Sequence, residues 1–242
     1  METILLANKK QLSCGPYHLN LSEKTFIMGI LNLTPDSFSD GGKFNQIDSA
    51  LAHAEEMIAN GADIIDVGGE STRPGAEYVN SAEEIKRVVP IIGKLSNKIN
   101  VPISIDTYKA DVAEQAILAG ATIINDVWGA KADPNMAAVA AKYNVPIVLM
   151  HNRKERKYES LIPDMIADLN ESVEIVKRAG VQDDKIILDP GIGFAKTMED
   201  NLVVMRNLET FTQLGYPVLL GTSRKSFIGR ILDLPPSDRM EG

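Results

Sequence analysis

One pattern of apolar and polar positions recurs along most of the chain. From Thr25 onward, a short apolar run rich in β-branched residues is followed by a turn, an amphipathic segment with helical spacing, and a Gly or Asn that ends it. Short apolar runs are typical of strands buried on both faces, and intervening helices connect such strands in parallel. Seven repeats of this unit predict an α/β fold built on a parallel sheet.

The periodicity also predicts where the elements begin and end. We expect strands at residues 26–31, 64–67, 103–105, 122–124, 147–150, 186–188 and 218–220, and helices at 47–59, 82–95, 110–119, 136–143, 163–179, 199–214 and 226–232. Ser81 and Glu84 have the spacing of a capping box at the start of the second helix. Ahead of the first unit, two apolar pieces within about residues 4–21 flank a Gly-Pro turn, which predicts a β-hairpin that closes one end of the larger structure.

The repeats form one uninterrupted series, so we expect a single domain over residues 1–242. Eight βα units close a (β/α)8 TIM barrel, whose carboxyl-end face collects polar residues from every strand. The chain as given provides seven units and the start of a further helix at 235–239. The expected fold is therefore a TIM barrel without its eighth unit, and an open doubly wound sheet is the alternative topology.

Composition and charge narrow the classes of function. The 242 residues carry a net charge of −8 without a basic block, which argues against electrostatic binding of nucleic acid. Neither a signal pattern nor an apolar run of membrane-spanning length occurs, so we expect no membrane association. Cys14 is the only cysteine, which excludes an intramolecular disulfide and fits a reducing compartment. We therefore expect a cytoplasmic protein.

Hydrogen-bonding side chains follow every predicted strand. They are Asn32, Asp66, Ser104, Asp106, Asn125, Asp126, His151, Asp189, Thr222 and Lys225. Because the carboxyl ends of parallel barrel strands meet at one mouth, we expect these side chains to converge there. Buried carboxylates need donors, which Lys225 or a ligand with several N–H groups would supply.

Taken singly, several of these residues also have a structural interpretation. Asp66 or Asp126 could bind neighbouring backbone amides. Asp189 ahead of a proline could organise a turn, and His151 could be a structural imidazole. No two histidines have the spacing of metal ligands, and the glycines after Asp189 do not match a nucleotide-binding loop. The coincidence of polar residues at every strand end favours a site over separate structural roles.

The stretch 28–42 contains the most distinctive of the predicted connections. Its apolar run ends at Asn32 and then breaks at Pro35, which cannot donate to a strand ladder. Asp36, Phe38, a second aspartate and two serines follow before a pair of glycines. A loop of this composition beside a strand end is a candidate lid, and an ordinary strand–helix connection is the alternative.

Seven segments, in order along the chain, resemble the bacterial dihydropteroate synthases. They are MGILNLTPDSFSDGG (28–42), DVGGESTRPGA (66–76), SIDT (104–107), IINDV (123–127), LMH (149–151), DPGIGF (189–194) and SRKS (223–226). The resemblance implies a pterin-binding TIM barrel, usually a homodimer, that requires Mg²⁺ and is a sulfonamide target. It further implies a transferase of folate biosynthesis, which joins (7,8-dihydropterin-6-yl)methyl diphosphate to para-aminobenzoate and releases diphosphate.

The same resemblance implies roles for residues that match the family's motifs. Asp189 and Asn125 would hold the guanidine-like edge of the pterin, and Asp106 would accept from a further ring N–H. Lys225 would face the pterin carbonyl, and Met150 would form part of a flat apolar wall.

The diphosphate and the aminobenzoate would be held by other residues. Asn32 would be a magnesium ligand, and Thr72 would bind the diphosphate. Loops 34–42 and 71–75 would close over the substrates. The remaining contacts would be Asp36 and Phe38 to the reacting groups, Arg73 to the first loop or the aminobenzoate, and Phe194, Pro74, Lys225 and Ser226 to the aminobenzoate. The diphosphate would leave before the amine attacks, so no general base is assigned.

Two other functions are consistent with these motifs. A folate-binding barrel of a corrinoid methyltransferase would share Asp106, Asn125 and Asp189 but would have less need of Asn32 and Thr72. A non-catalytic barrel that binds pterin is the second alternative. The intact TPDSFSDGG and ESTRPG segments favour the synthase.

Overall fold

In the computed structural model, which describes residues 11–33, 43–71, 77–233 and 235, six parallel strands form one sheet. The strands are β3 (Met28–Asn32), β4 (Ile64–Gly68), β5 (Ile103–Asp106), β6 (Ile123–Asp126), β7 (Ile147–Met150) and β8 (Ile186–Asp189). Strands that follow one another in this order are hydrogen-bonded to each other in parallel. The predicted α/β class and parallel sheet are confirmed.

The strand order decides between the two predicted topologies. A doubly wound sheet reverses its strand order at a switch point, whereas these six strands follow the order of the chain without reversal. Sequential parallel order with a helix after each strand is the arrangement of a TIM barrel. The barrel prediction is confirmed, and the doubly wound alternative is wrong.

The predicted strand at 218–220 is represented by a single parallel bridge. Val218 pairs with Leu188, and Leu219 N donates to Leu188 O at 2.8 Å. The segment therefore lies beside β8, where the seventh strand was expected, but it forms no regular ladder among the described residues. The prediction of a full strand is wrong here.

Helices cover the outer face of the sheet. They are α1 (Lys43–Ala59), α2 (Ser81–Leu95), α3 (Ala110–Ala119), α4 (Met136–Tyr143), α5 (Leu161–Arg178), α6 (Met198–Arg206), α7 (Leu208–Thr212) and α8 (Ser226–Leu232). Alternate strand residues such as Ile65, Val67, Ile105, Ile124 and Leu149 are fully buried against them. Because strand side chains alternate between faces, the residues between these point into the barrel.

Two predictions about the helices, a capping box and an unbroken helix at 199–214, are wrong for identifiable reasons. The N-cap of α2 is Asn80, whose side chain accepts from Glu83 N at 3.0 Å, so Ser81 and Glu84 form no capping box. Glu84 is instead buried and ion-paired with Lys109 at 2.6 Å.

The predicted helix 199–214 is interrupted at Asn207. The backbone there leaves helical geometry (φ −108°, ψ 20°), and the side-chain amide donates to Val203 O at 2.8 Å. Asparagine competes with the backbone for such hydrogen bonds, which explains the break between α6 and α7.

An antiparallel hairpin covers the amino-terminal end of the barrel. Its strands are β1 (Gln11–Cys14) and β2 (Tyr17–Asn20); the predicted part before residue 11 lies outside the described residues. Leu12, Cys14 and Leu19 pack with the inward-facing Ile64, Ile123, Val148 and Ile187. Lys185 Nζ, buried beside them, donates to Ser13 O at 2.7 Å. The hairpin thus closes the end opposite the polar strand termini.

Within the described residues, no helix combines the length and the apolar character that a membrane span requires.

Candidate active site

The register of the sheet brings polar side chains together inside the barrel mouth. Asn32 pairs with Gly68, Gly68 with Asp106, and Asp106 with Asn125, so these four residues lie at one level. One level deeper on the same inner face, two residues back along its strand, lies Asp66. The residues that alternate with them face the helices. The mouth is therefore lined by two acids and two side-chain amides that come from neighbouring strands.

The acids in this mouth have few partners in the protein. Asn125 Nδ2 donates to Asp66 Oδ2 at 3.0 Å, which uses one of the two amide hydrogens and leaves Asn125 Oδ1 free to accept. Among the described residues, three buried side-chain atoms have no hydrogen-bond partner: Asp66 Oδ1, Ser104 Oγ and Asp106 Oδ1. Buried acceptors without donors are costly, so a ligand that brings N–H groups would be favoured here.

Burial also changes the acidity of these groups. Burial raises the pKa of Asp66. For Asp106, burial and then the neighbouring charge of Asp66 raise the pKa well above its usual range. Two carboxyl groups this close do not ionise together without a cation or donor. In the ligand-free protein the site therefore favours at least one neutral acid.

Asp189 lies at the end of β8 and begins a tight turn. Gly191 N donates to Asp189 Oδ1 at 2.7 Å, which leaves the second oxygen for other partners. Burial raises the pKa of Asp189 to about 6, although this hydrogen bond and the charges of Lys225 and Lys196 oppose the rise. Gly191 has φ +68°, and a Cβ there would overlap the carbonyl oxygen of His151, so the position requires glycine.

Lys225 lies close enough to the acids of the mouth to change their pKa values. It is the N-cap residue of α8, and Ser226 is the first residue of that helix. Its Nζ lies 4.5 Å from the centroid of the Phe194 ring. Its charge lowers the pKa of both Asp106 and Asp189 relative to burial alone. Lys225 therefore connects the acid cluster with the aromatic side chain at the end of the turn.

Met150 and Asn32 occupy different depths of the same mouth. Met150 is buried at the end of β7, and its Cγ would lie 3.3 Å from a Cβ on Gly191. Asn32 is exposed at the rim. Its Oδ1 lies 3.5 Å from the point that a Cβ on Gly68 would occupy, and Asp106 Oδ2 lies 3.4 Å from that point. Asn32 and Asp106 thus flank one small space above Gly68.

No group of three or more His, Cys, Asp or Glu side chains in the described part of the chain is arranged to hold a metal ion. The carboxamide of Asn32 is a neutral oxygen donor beside an acid. That donor set fits a hard cation that keeps several waters and binds mainly through a substrate, which is the usual binding mode of Mg²⁺.

Five of the predicted site residues lie outside the described residues. They are Asp36, Phe38, Thr72, Arg73 and Pro74.

Two polar strand-end residues have structural roles outside the mouth. Asp126 accepts from Trp128 N and Ala130 N, both at 2.8 Å, and so holds the turn after β6. Burial raises its pKa to about 6. His151 lies behind the mouth and is hydrogen-bonded through Nε2 to Asp168 Oδ2 at 3.0 Å.

Sequence reasoning gave too little weight to Asp66 and Ser104 and missed Lys196. Asp66 binds Asn125 rather than backbone amides, and strand alternation alone could have indicated its inward direction because it lies two residues before Gly68. No sequence signal distinguished Lys196, which is buried beneath the turn after Asp189.

Comparisons with known proteins agree with this geometry. The profile of the family described as "Pterin binding enzyme" matches residues 28–242. A dihydropteroate synthase of Bacillus subtilis is 66% identical over 227 residues, which are 94% of this chain and 80% of that protein. The crystal structure of a Clostridium difficile dihydropteroate synthase in the presence of pteroic acid has a TM-score of 0.89 and 53% identity, over 91% of this chain and 84% of that one.

A second solved structure extends the comparison to another ligand. The dihydropteroate synthase of Xanthomonas albilineans with 4-aminobenzoic acid has a TM-score of 0.90 and 39% identity, over 96% of this chain and 85% of that one. The chain therefore belongs to the family of pterin binding enzymes and, within it, to the dihydropteroate synthases, which are transferases.

Proposed function

We propose that this protein condenses (7,8-dihydropterin-6-yl)methyl diphosphate with para-aminobenzoate, giving 7,8-dihydropteroate and diphosphate. The observation that carries the proposal is a cluster of acceptors in the barrel mouth near Lys225, formed by the buried Asp66 and Asp189 and the half-buried Asp106 and Asn125. Such a cluster is complementary to a flat ring with several N–H donors and one carbonyl. The relatives solved with pteroic acid and with 4-aminobenzoic acid support the two substrate classes.

The pterin would bind by its guanidine-like edge. The free oxygen of Asp189 and Oδ1 of Asn125 would accept from the amino group and the adjacent ring N–H, as carboxylates accept from a guanidinium. The unpaired oxygen of Asp106 would accept from a further ring N–H. Lys225 would donate to the pterin carbonyl, and Met150 would pack against the ring face.

Specificity follows from the cost of leaving these atoms unpaired. A ligand that lacks the N–H donors would bury Asp106 and Asp189 without partners. A ligand that provides them favours the charged carboxylates, which the empty site disfavours. Binding and ionisation of the acids are therefore coupled.

The chemical step depends more on the alignment of the two substrates than on proton transfer by a side chain. The methylene carbon is attached to an electron-rich ring, so its bond to the diphosphate can break before the new C–N bond forms. An arylamine is nucleophilic without prior deprotonation. Phe194, Lys225 and Ser226 would border the aminobenzoate and hold its amine in line with that carbon.

Four finer points are part of the proposal. Asn32 would contribute one oxygen ligand to Mg²⁺, which when bound would neutralise charge on the departing diphosphate. Closure of loops 34–42 and 71–75, with Asp36, Phe38, Thr72, Arg73 and Pro74, stays a prediction, because those residues lie outside the described ones. A homodimer and a cytoplasmic location likewise stay predictions.

The test is a turnover assay with purified protein, dihydropterin diphosphate, para-aminobenzoate and Mg²⁺, combined with calorimetric binding. Diphosphate release that requires both substrates is expected. A preference for reduced folate over dihydropterin diphosphate would instead indicate a methyltransferase-type barrel. Binding without diphosphate release would indicate a non-catalytic pterin-binding protein.

A further inference from the structure

A buried lysine lies directly behind the turn that follows Asp189. Lys196 is only 6% exposed. Its Nζ lies 2.9 Å from Gly191 O, 3.0 Å from Phe194 O and 3.0 Å from His151 Nδ1. A lysine ammonium has three hydrogens, and here each has one acceptor.

The neighbouring histidine is fixed in one tautomer by its two partners. Asp168 is an acceptor, so His151 Nε2 carries the hydrogen that it donates to Asp168 Oδ2 at 3.0 Å. His151 Nδ1 is then left to accept from Lys196. Burial and the charge of Lys196 lower the pKa of His151 to about 3, which keeps the imidazole neutral as this arrangement requires.

The hydrogen bonds continue from His151 to Asp168, which lies in α5. Arg153 Nε donates to Asp168 Oδ2 at 2.6 Å, and the Arg153 guanidinium lies 4.5 Å from the centroid of the Tyr158 ring. Tyr158 OH donates to Ala195 O at 2.9 Å, next to Lys196 itself. The turn is thus connected to the preceding strand–helix unit, β7 and α5, at two adjacent points.

The two carbonyl groups that Lys196 binds belong to residues that shape the site. Gly191 also donates its N–H to Asp189 Oδ1, and Phe194 carries the ring beside Lys225 Nζ. A shift of Gly191 would move the Asp189 carboxylate, and a shift of Phe194 would move the ring that Lys225 contacts. One ammonium group therefore fixes the backbone beneath both side chains.

We propose that Lys196 is a positioning residue, which through Gly191 O, Phe194 O and His151 Nδ1 holds Asp189 in place for the pterin and Phe194 in place for the aminobenzoate. This inference rests on the proposed function for the identity of the two ligands. It assigns no contact between Lys196 and either substrate.

Burying an ammonium group costs desolvation free energy that an apolar side chain of the same volume does not cost. Burial lowers the pKa of Lys196 to about 7, which shows the cost of keeping its charged form at this position. An apolar residue of similar length would fill the same volume without a buried charge, but it would leave Gly191 O, Phe194 O and His151 Nδ1 without this donor. The three directed hydrogen bonds are what an apolar residue cannot supply.

The test compares Lys196→Met with Lys185→Met in the full chain. Lys185 is a matched control, because it is also buried and also donates to a backbone carbonyl, Ser13 O, but lies at the opposite end of the barrel. Both variants should lower the midpoint of thermal unfolding. Only Lys196→Met should raise the Kd for dihydropterin diphosphate and the KM for para-aminobenzoate, each by about 10-fold or more. Lys196→Gln, which can donate two hydrogen bonds, should recover part of both losses.

The outcomes separate this inference from the proposed function. If the wild type turns over and Lys196→Met loses only stability, with both constants within about 2-fold of the wild type, the positioning role is wrong. If the wild type shows no turnover but Lys196→Met weakens pterin binding, the proposed reaction fails and the positioning of Asp189 stands. Should Lys196→Met not fold, the same comparison is made with Lys196→Gln, which loses one of the three hydrogen bonds and should raise both constants by more than about 2-fold; constants unchanged from the wild type would overturn the inference.

Discussion

At the scale of single residues, the carboxyl groups in the barrel mouth lower the stability of the ligand-free protein. Asp66 and Asp189 are buried, and Asp106 is half-buried. All three have raised pKa values, and Asp66 and Asp106 each have a buried oxygen without a partner among the described residues. Such groups cost stability in the empty protein and supply affinity when N–H donors bind. The same oxygen atoms therefore lower the stability of the empty protein and raise its affinity for the ligand.

The variant Asp189→Asn tests whether this carboxyl group supplies affinity at a cost in stability. The amide keeps an oxygen for Gly191 N but loses a carboxylate acceptor for the pterin, so affinity for dihydropterin diphosphate should fall about 10- to 100-fold. The free energy of unfolding without ligand should stay the same or rise, because a neutral amide is cheaper to bury. Titration calorimetry and denaturant unfolding measure the two effects.

Asp126→Asn is the matched control for that experiment. Asp126 has a pKa raised by burial to about 6, as Asp189 has, but both its oxygens accept backbone N–H groups outside the mouth. Its replacement should lower stability by about 1–3 kcal/mol and leave affinity unchanged. Equal loss of affinity in both variants would contradict the assignment of Asp189 to the ligand.

The raised pKa of Asp189 also sets the pH dependence. Its pKa of about 6 in the folded protein lies above the ordinary value, so the folded state holds the proton more tightly than the unfolded state does. Ligand-free stability should therefore fall as the pH rises from about 4 to 6, with Asp126 adding to the same trend.

Ligand binding should show the opposite pH dependence. The pterin donors favour the ionised carboxylate, so affinity should weaken as the pH falls below about 6, and binding near that pH should release protons. Calorimetry in buffers of different ionisation enthalpy measures the release. Proton uptake on binding would contradict the proposed contacts.

Some residues of the site could be predicted from the sequence and others could not. The site residues at strand ends could be predicted because strand position and alternation are local properties of the chain. Lys196 could not be predicted, because its burial depends on how the turn after β8 folds back over β7. The role of Asp66 was recoverable from alternation but was weighed against a plausible structural alternative.

At the scale of elements, the order of strands and helices followed from periodicity, except that the strand expected at 218–220 is a single bridge. Two further errors concern a helix cap and a break inside a helix. Glu84 fits a capping box by spacing, but it pairs with Lys109 from the next βα unit. Asn207 divides the predicted sixth helix through its own side-chain hydrogen bond. Both errors come from competition between local signals and contacts or geometry that spacing does not encode.

Gly68 shows how the register of β4 shapes the site. A Cβ at this position would meet Asp106 Oδ2 and Asn32 Oδ1 at 3.4 and 3.5 Å, which is ordinary contact without overlap. Gly68→Ala should therefore fold with little change in unfolding free energy. Because the methyl group would occupy the space between these two oxygens, it should weaken substrate binding about 10-fold or more. Unchanged kinetics in the folded variant would show that the ligand does not approach β4.

At the scale of the whole molecule, the two ends of the barrel have different chemistry. The amino-terminal end is apolar inside and is covered by the hairpin, whereas the carboxyl-terminal end is lined by acids, two side-chain amides and a lysine. The sequential strand order brings residues as distant in the chain as Asn32 and Lys225 to the same end. The pattern of repeats was sufficient to predict a polar and an apolar end, because the carboxyl ends of all strands lie at the same end of a barrel.

The covered end has a practical consequence for labelling experiments. Cys14 is the sole cysteine of the chain, it is completely enclosed under the hairpin, and burial raises the pKa of its thiol to about 12. Since thiolate is the reactive species, maleimides should leave the native protein unmodified and react only after denaturation, as intact mass measurement would reveal. A cysteine installed in place of the 71%-exposed Tyr78 would then carry a fluorophore at one position, without first removing the natural thiol.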